Sequence, residues 1–450
     1  MPRDAQDHAI TAASDEAVRA YEHAVEGYLF HRVDTMQRIA PALVADPGFG
    51  MAHVLKGYLA MTPFDGAFVL RAREALAEAR GHLAHATRRE RAHAEALSLW
   101  IEGEIDQALA AWEGILEKHP RDVLAFRMHH YNAFWSGRPE RMLAGVERVL
   151  PRWSDAVPGW GAMLACRAFA AEECGLYTVA EASGREAIAL DPRNLWATHA
   201  VAHVMEMQGR RGEGIRFLGH LEQHWEGGNA ILHHLWWHLA MYHLERQEFG
   251  AALDLYDRRF RDLASVLVQA MPDFTTDAQN AASMLFRLER HGVEVGHRWT
   301  ELADKAEARI GDHLSPFTLP HRMMALAATG RWAAADRMLD ALCEAAGSNR
   351  NDAARVLRDA ALPVCHAVLA HRRGDFAGAV AAMRPALGVM YRLGGSHAQQ
   401  DVLEQLFLDA ALKAGLEEDA RALLERVSGR HPVPPERRVG YAEAARQVGH

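Results

Sequence analysis

Residues 103–120 read GEIDQALAAWEGILEKHP, and the pattern returns at 175–192 as GLYTVAEASGREAIALDP. After a turn glycine come a bulky residue at +2, a small one at +5, a bulky one at +9, an apolar one at +12 and a proline at +17. Gly103 leads Ile105, Ala108, Trp112, Ile115 and Pro120; Gly175 leads Tyr177, Ala180, Ala187 and Pro192, with Gly184 where the +9 bulk should be. Gly330 (Trp332, Ala335, Leu339, Leu342), Gly374 (Phe376, Ala379, Met383, Ala386) and Gly415 (Ala420, Leu424, Val427, Pro432) open further copies. Each copy is a helix, a tight turn and a second helix. The glycine supplies a positive φ where the first helix stops, the small residue lets the two helices approach, and the proline ends the unit. This is the tetratricopeptide pattern of about 34 residues per unit.

Less regular units fill the gaps. One surrounds Gly209; another spans 231–260 and puts Gln247 at the turn, followed by Phe249, Ala252 and Tyr256. Two helical pairs are expected in 22–80, with loops at Asp46-Pro47-Gly48 and near Thr62–Gly66. The expected fold is an all-α, tetratricopeptide-type solenoid, superhelical, with a concave central groove. A flexible N-terminus is expected over 1–15 and a single continuous array over 16–430: irregular pairs at 16–90, regular repeats at about 90–260, a long connection at 261–276 and C-terminal repeats at 277–430. A tail is expected at 431–450.

Composition limits the function. With 49% apolar and 24% charged residues, the chain of 450 can bury a large core. Fifty Lys and Arg against 59 Asp and Glu leave a net charge of −9, the wrong sign for gripping nucleic acid or an anionic membrane. Four cysteines, none in a CxxC pair, make no disulfide framework. The first residues carry no apolar signal segment, and no run is long enough to span a bilayer. The expectation is a cytoplasmic protein that uses neither nucleic acid nor membrane as a partner.

The 27 histidines are the unusual feature. In such an array the first helix of each pair lines the concave face, and the residues 13, 10, 6 and 3 before the turn share one stripe. For Gly209 that stripe is Trp196, His199, His203 and Glu206; for Gln247 it is His234, Trp237, Met241 and Leu244, with His238 beside it. Two histidines one turn apart can ligate one metal, and a carboxylate on the next turn can add a ligand or act as a base. Two facing helices with such pairs build metal sites in bundles. Candidate metal ligands are His199, His203 and His234, for a divalent ion such as zinc, manganese or iron. Candidate catalytic groups are Glu206, His203 and His238. Three other readings stay open: a metal-free polar groove, metal-free acid–base chemistry and purely structural polar packing. Trp236 and Trp237 are candidates either for the core or for the groove. His129 and His130 read as packing residues, and His220, His224, His291, His297 and His313 as solvated.

Two later segments carry weaker signals. Thr276 or Asp277, in PDFTTDAQNAASMLFRLE, fits a helix cap. Gly394 to Asp401, GGSHAQQD, opens another helix whose N-terminal amides can receive an anion; Ser396, His397 and Asp401 are therefore candidate ligand contacts, against a flexible loop with a serine or histidine cap.

The runs NLWATHAVAHVMEMQGRRGEGI, HHLWWHLAMYHLE, DAQNAASMLFRLERHGVEVGHRW and GGSHAQQD together resemble the tetratricopeptide repeat protein 38 family, over most of the chain from about residue 55. The resemblance implies an all-helical repeat fold and brings no settled activity, substrate or catalytic residues. The family pattern matches this chain at His199, His203, Glu206, Trp237, His238 and Ser396–Asp401, and departs from it at Gln400, where the family usually has arginine.

The expected function is binding of a small polar or aromatic ligand, or a peptide, in a groove lined by histidine, tryptophan and glutamate, with Trp196, His199, His234 and Trp237 among the contacts. The alternative is a hydrolase acting on an amide or ester bond, with or without a metal, through the same histidines and Glu206. No P-loop, dinucleotide fingerprint or nucleophile elbow is present.

Overall fold

The structure is a computed structural model that describes residues 1–348 and 350–450. The chain is an all-α solenoid of tetratricopeptide-type helix pairs, with no β-strand among the described residues. No helix among them is long and apolar enough to cross a membrane. The chain divides into two compact units: Met1–Val201 with Leu221–Ile231 and Asn351–Ala353, and Ala202–His220 with Leu232–Arg350 and Ala354–His450.

The turns carry the repeat. Gly103, Gly175, Gly209, Gly330, Gly374 and Gly415 all have φ between 68° and 80°, and Gln247 adopts the same left-handed backbone at 61°. The second helices begin two residues later, at Ile105, Tyr177, Arg211, Phe249, Trp332, Phe376 and Glu417. The small residues at +5 (Ala108, Ala180, Ala252, Ala335, Ala379 and Ala420) are buried between paired helices.

In the first unit, successive pairs include Gly50–Met61 with Val69–His82 and Arg88–Ile101 with Ile105–Lys118. Trp100, Trp112 and Tyr58 fill the space between them, and the Trp112 Nε1–H donates to the Tyr58 hydroxyl at 2.9 Å. The first residues do not hang free as expected. Ile10 is buried, and Asp4 pairs with Arg89 at 3.0 Å. Arg89 also reaches Asp122 at 2.8 Å, so a buried cation ties the segment to the repeats.

In the second unit, the Thr275–Arg290 helix packs on Thr318–Ala328 and on His397–Lys413. The connection expected over 261–276 contains a short helix, Val266–Ala270. Leu357–Ala361 forms a π-turn leading into Leu362–Arg372. Pro363 accounts for it, since a residue without N–H breaks the i→i−4 ladder. Residues 431–450, expected as a tail, hold the Ala442–Val448 helix, and Val433, Tyr441 and Val448 are buried. Thr276 and Asp277 lie inside a helix rather than at its cap, and the Asp277 carboxylate is spent on His233 Nδ1 at 2.7 Å.

Candidate ligand site

The second unit's site begins with helix periodicity. His234 and His238 are one turn apart on Ile231–Glu245, so their rings share a face. His203 and Glu206 are three apart at the end of Leu195–Met207 and share another. The fold brings these faces together. The rings of His203 and His238 lie 4.4 Å apart, edge to face, and those of His234 and His238 lie 4.7 Å apart in the same manner.

Two of the three rings are oriented from behind. His238 Nδ1 lies 2.6 Å from Glu206 Oε2, and His234 Nδ1 lies 3.0 Å from Asn280 Oδ1. His234 stacks on Trp237 at 5.1 Å and 8°, and the Arg287 guanidinium lies 5.9 Å from the centre of the same indole. Trp237 is fully buried, so it backs the cluster instead of lining open space.

Electrostatics follow from the missing water. Burial pushes the His238 imidazole down to about 3, and pushes His203 and His234 well below the usual histidine range, helped by neighbouring rings. Burial pushes the Glu206 carboxyl up to about 8. Burial therefore pushes both members of the His238–Glu206 pair towards their neutral forms.

Glu206 also faces a cleft lined by Arg211, Met241, Tyr242, Glu245, His397, Asp401, His431 and Arg438, whose space open to a water molecule's centre is about 30 Å³. That suits an ion or the head of a small molecule. The cleft's other two carboxylates are already answered. Arg211 reaches Glu245 at 2.7 Å. Arg438 reaches Asp401 at 2.5 Å, Tyr441 donates to the same oxygen at 2.6 Å, and Arg287 lies 3.4 Å from the other oxygen. Among the described residues no guanidinium or ammonium pairs with Glu206.

Most of the remaining sequence candidates do other work. Trp196 and His199 belong to the first unit, where their rings stack at 4.7 Å; Trp196 also stacks on His31 at 5.5 Å and carries the Arg127 guanidinium at 5.0 Å. His199 still sits one turn before His203 on one helix. Ser396 is a cap. Its hydroxyl accepts from Gln399 N at 3.3 Å, and Gln399 Oε1 accepts from Ser396 N at 3.0 Å. That capping box uses amides that an anion would need. Gln400 closes the preceding loop by donating to the Gly394 carbonyl at 3.0 Å. Asp401 is a buried ion-pair centre, and of the GGSHAQQD candidates it and His397 line the cleft. His129 bonds Glu113 at 3.0 Å and His130 the Cys166 carbonyl at 3.0 Å, as packing residues do. Of the histidines expected in solvent, His220 and His297 are exposed, whereas His224, His291 and His313 are half-buried.

Sequence reasoning missed Asn280, Glu245, Arg287, His431 and Arg438. A signal existed for two of them: Asp277, Asn280, Ser283 and Arg287 form a polar stripe at helical spacing, all buried. Arg438 and His431 lie in a segment with no repeat pattern to place them.

No protein-family model matches the chain. Among solved structures, the human IFIT1 dimer with PPP-AAAA is 12% identical, with 93% of this chain and 95% of that chain covered and a TM-score of 0.43. Yeast Tom70 is 11% identical, with 96% and 86% covered and a TM-score of 0.38. Similarity this low transfers neither ligand nor partner.

Proposed function

We propose that the protein is a binding protein whose second unit takes a small polar ligand with a compact positive group, such as a primary ammonium, in the cleft beside Glu206. One observation carries this reading: Glu206 is the cleft carboxyl whose partner is a neutral ring, while Glu245 and Asp401 already have guanidinium partners. A half-buried carboxyl whose contacting partner is a ring rather than a guanidinium is where a cationic ligand gains most. The small space favours an ammonium head over an extended peptide.

Calorimetric titration with n-butylamine and 1,4-diaminobutane, with n-butanol as the uncharged control, tests it. Amine binding that Glu206→Gln weakens tenfold or more is the expected result. Amines that bind no better than butanol, or equally well to Glu206→Gln, overturn it.

A second reading, hydrolysis of an amide or ester bond, draws on the 2.6 Å His238–Glu206 contact, a pair able to take a proton from an attacking water. Turnover of p-nitrophenyl acetate that Glu206→Gln abolishes is expected on that reading; turnover equal to that of free imidazole ends it.

We also propose membership of the tetratricopeptide repeat protein 38 family, supported by the four motif runs that resemble it. A cytoplasmic location is proposed on the four free cysteines, and the absence of a nucleic-acid partner on the net charge of −9.

A further inference from the structure

We infer that His203, His234 and His238 form a binding site for a divalent transition-metal ion of the zinc class, with Glu206 and Asn280 as outer partners that orient two of the three ligands. The three residues each offer a ring nitrogen within 4.8 Å of the others, and all three are buried. They come from two helices, and their rings meet edge to face rather than in a stack.

Two of the rings are held from behind: Asn280 Oδ1 lies 3.0 Å from His234 Nδ1, and Glu206 Oε2 lies 2.6 Å from His238 Nδ1. An amide oxygen only accepts, so His234 Nδ1 carries hydrogen. An imidazole ligand whose other nitrogen donates to a carboxylate or carbonyl is the usual arrangement at metal centres. Imidazole sets suit zinc, copper, nickel and iron.

Packing alone explains the arrangement less well. Trp237 and Asn280 hold His234 in one orientation, and Glu206 holds His238 in another. Leucine at these places would fill the space without two buried polar partners. The inference shares the location of the cleft reading, at Glu206, and is independent of its amine ligand.

The test is direct. Protein dialysed against chelator is titrated with Co²⁺ and followed by its visible d–d absorption, with the metal content of the untreated protein measured by plasma mass spectrometry. One equivalent per chain with the spectrum of a low-coordinate nitrogen site is expected. His203→Ala and His238→Ala should abolish it. Glu206→Gln and Asn280→Ala, which keep all three ligands, should weaken binding by about 10- to 100-fold. Circular dichroism checks each fold, and the two outer-partner variants keep the test informative if a histidine variant fails to fold. Folded wild type giving no cobalt spectrum, or one unchanged in His238→Ala or in both outer-partner variants, overturns the site. The amine titration is run in parallel. Amine binding without cobalt binding sinks only the metal, and cobalt binding without amine binding sinks only the ammonium reading.

Discussion

Gly214 lies directly under the ring of Tyr242: a Cβ on this glycine would clash with Tyr242 Cζ. Gly214 is five residues after the turn at Gly209, the repeat's small position, and Tyr242 comes from the first helix of the next pair. The Tyr242 hydroxyl donates to the Ala202 carbonyl at 2.6 Å, so the ring cannot retreat without losing that bond. Gly214→Ala is therefore expected to destabilise the protein by about 1–3 kcal/mol in urea unfolding. The double variant Gly214→Ala/Tyr242→Leu should cost less than the two single changes added together, because the smaller side chain clears the clash. Strict additivity would place the clash elsewhere.

Gln247 is the one turn of the repeat series that takes a positive φ without glycine. Left-handed backbone costs a residue with a Cβ roughly 1–2 kcal/mol, and the added freedom of glycine in the unfolded chain returns about half of that. Gln247→Gly should raise stability by about 0.5–1 kcal/mol, whereas Gly330→Gln should lower it by a similar amount. Midpoints of chemical denaturation for the two variants should move in opposite directions.

Asp401 anchors the last helix. Although burial pushes its carboxyl up, Arg438 and Arg287 hold it well below the usual carboxylate range. Removing one charge from a buried set costs about 3–5 kcal/mol, so Asp401→Asn should lose about that much and expose 431–450 to proteolysis. The pH sign follows: stability from this group is present above its unfolded value near 3.9 and lost as pH falls towards its folded value. The wild type should weaken more steeply than Asp401→Asn below about pH 4.

Glu22 has the opposite sign. Burial pushes its carboxyl up to about 7 although the Ala5 N–H donates to it at 3.1 Å. A raised acid stabilises the fold most below its unfolded value and loses that stabilisation as pH rises through about 7. Glu22→Gln should be close to neutral at pH 4 and stabilising at pH 8, on the order of 1–2 kcal/mol after allowance for partial solvent screening. A Tm difference independent of pH would contradict this.

The repeat was readable because its signals are local. Gly103, Ala108 and Trp112 act within one hairpin, and even the Gln247 turn follows from spacing alone. The pairing of the His203 and His238 faces was half-readable: i, i+4 spacing placed His234 beside His238, and the repeat register placed their helix next to that of His203. Trp237 was ambiguous because spacing gives a side chain's direction along its own helix, not the depth of what packs over it. Ser396 was open between cap and anion site until Gln399 closed the capping box.

What sequence alone determined is the helical period, the turn positions and the faces that carry histidine, since each depends on backbone conformation within a few residues. What only tertiary structure decided is which partner each polar group meets. Glu206 meets His238 from 32 residues away, Asn280 meets His234 from 46, and Tyr441 meets Asp401 from 40. Those meetings depend on how whole helices stack, and burial then pushes Glu206 and the three rings towards their neutral forms by thinning the water that would have charged them.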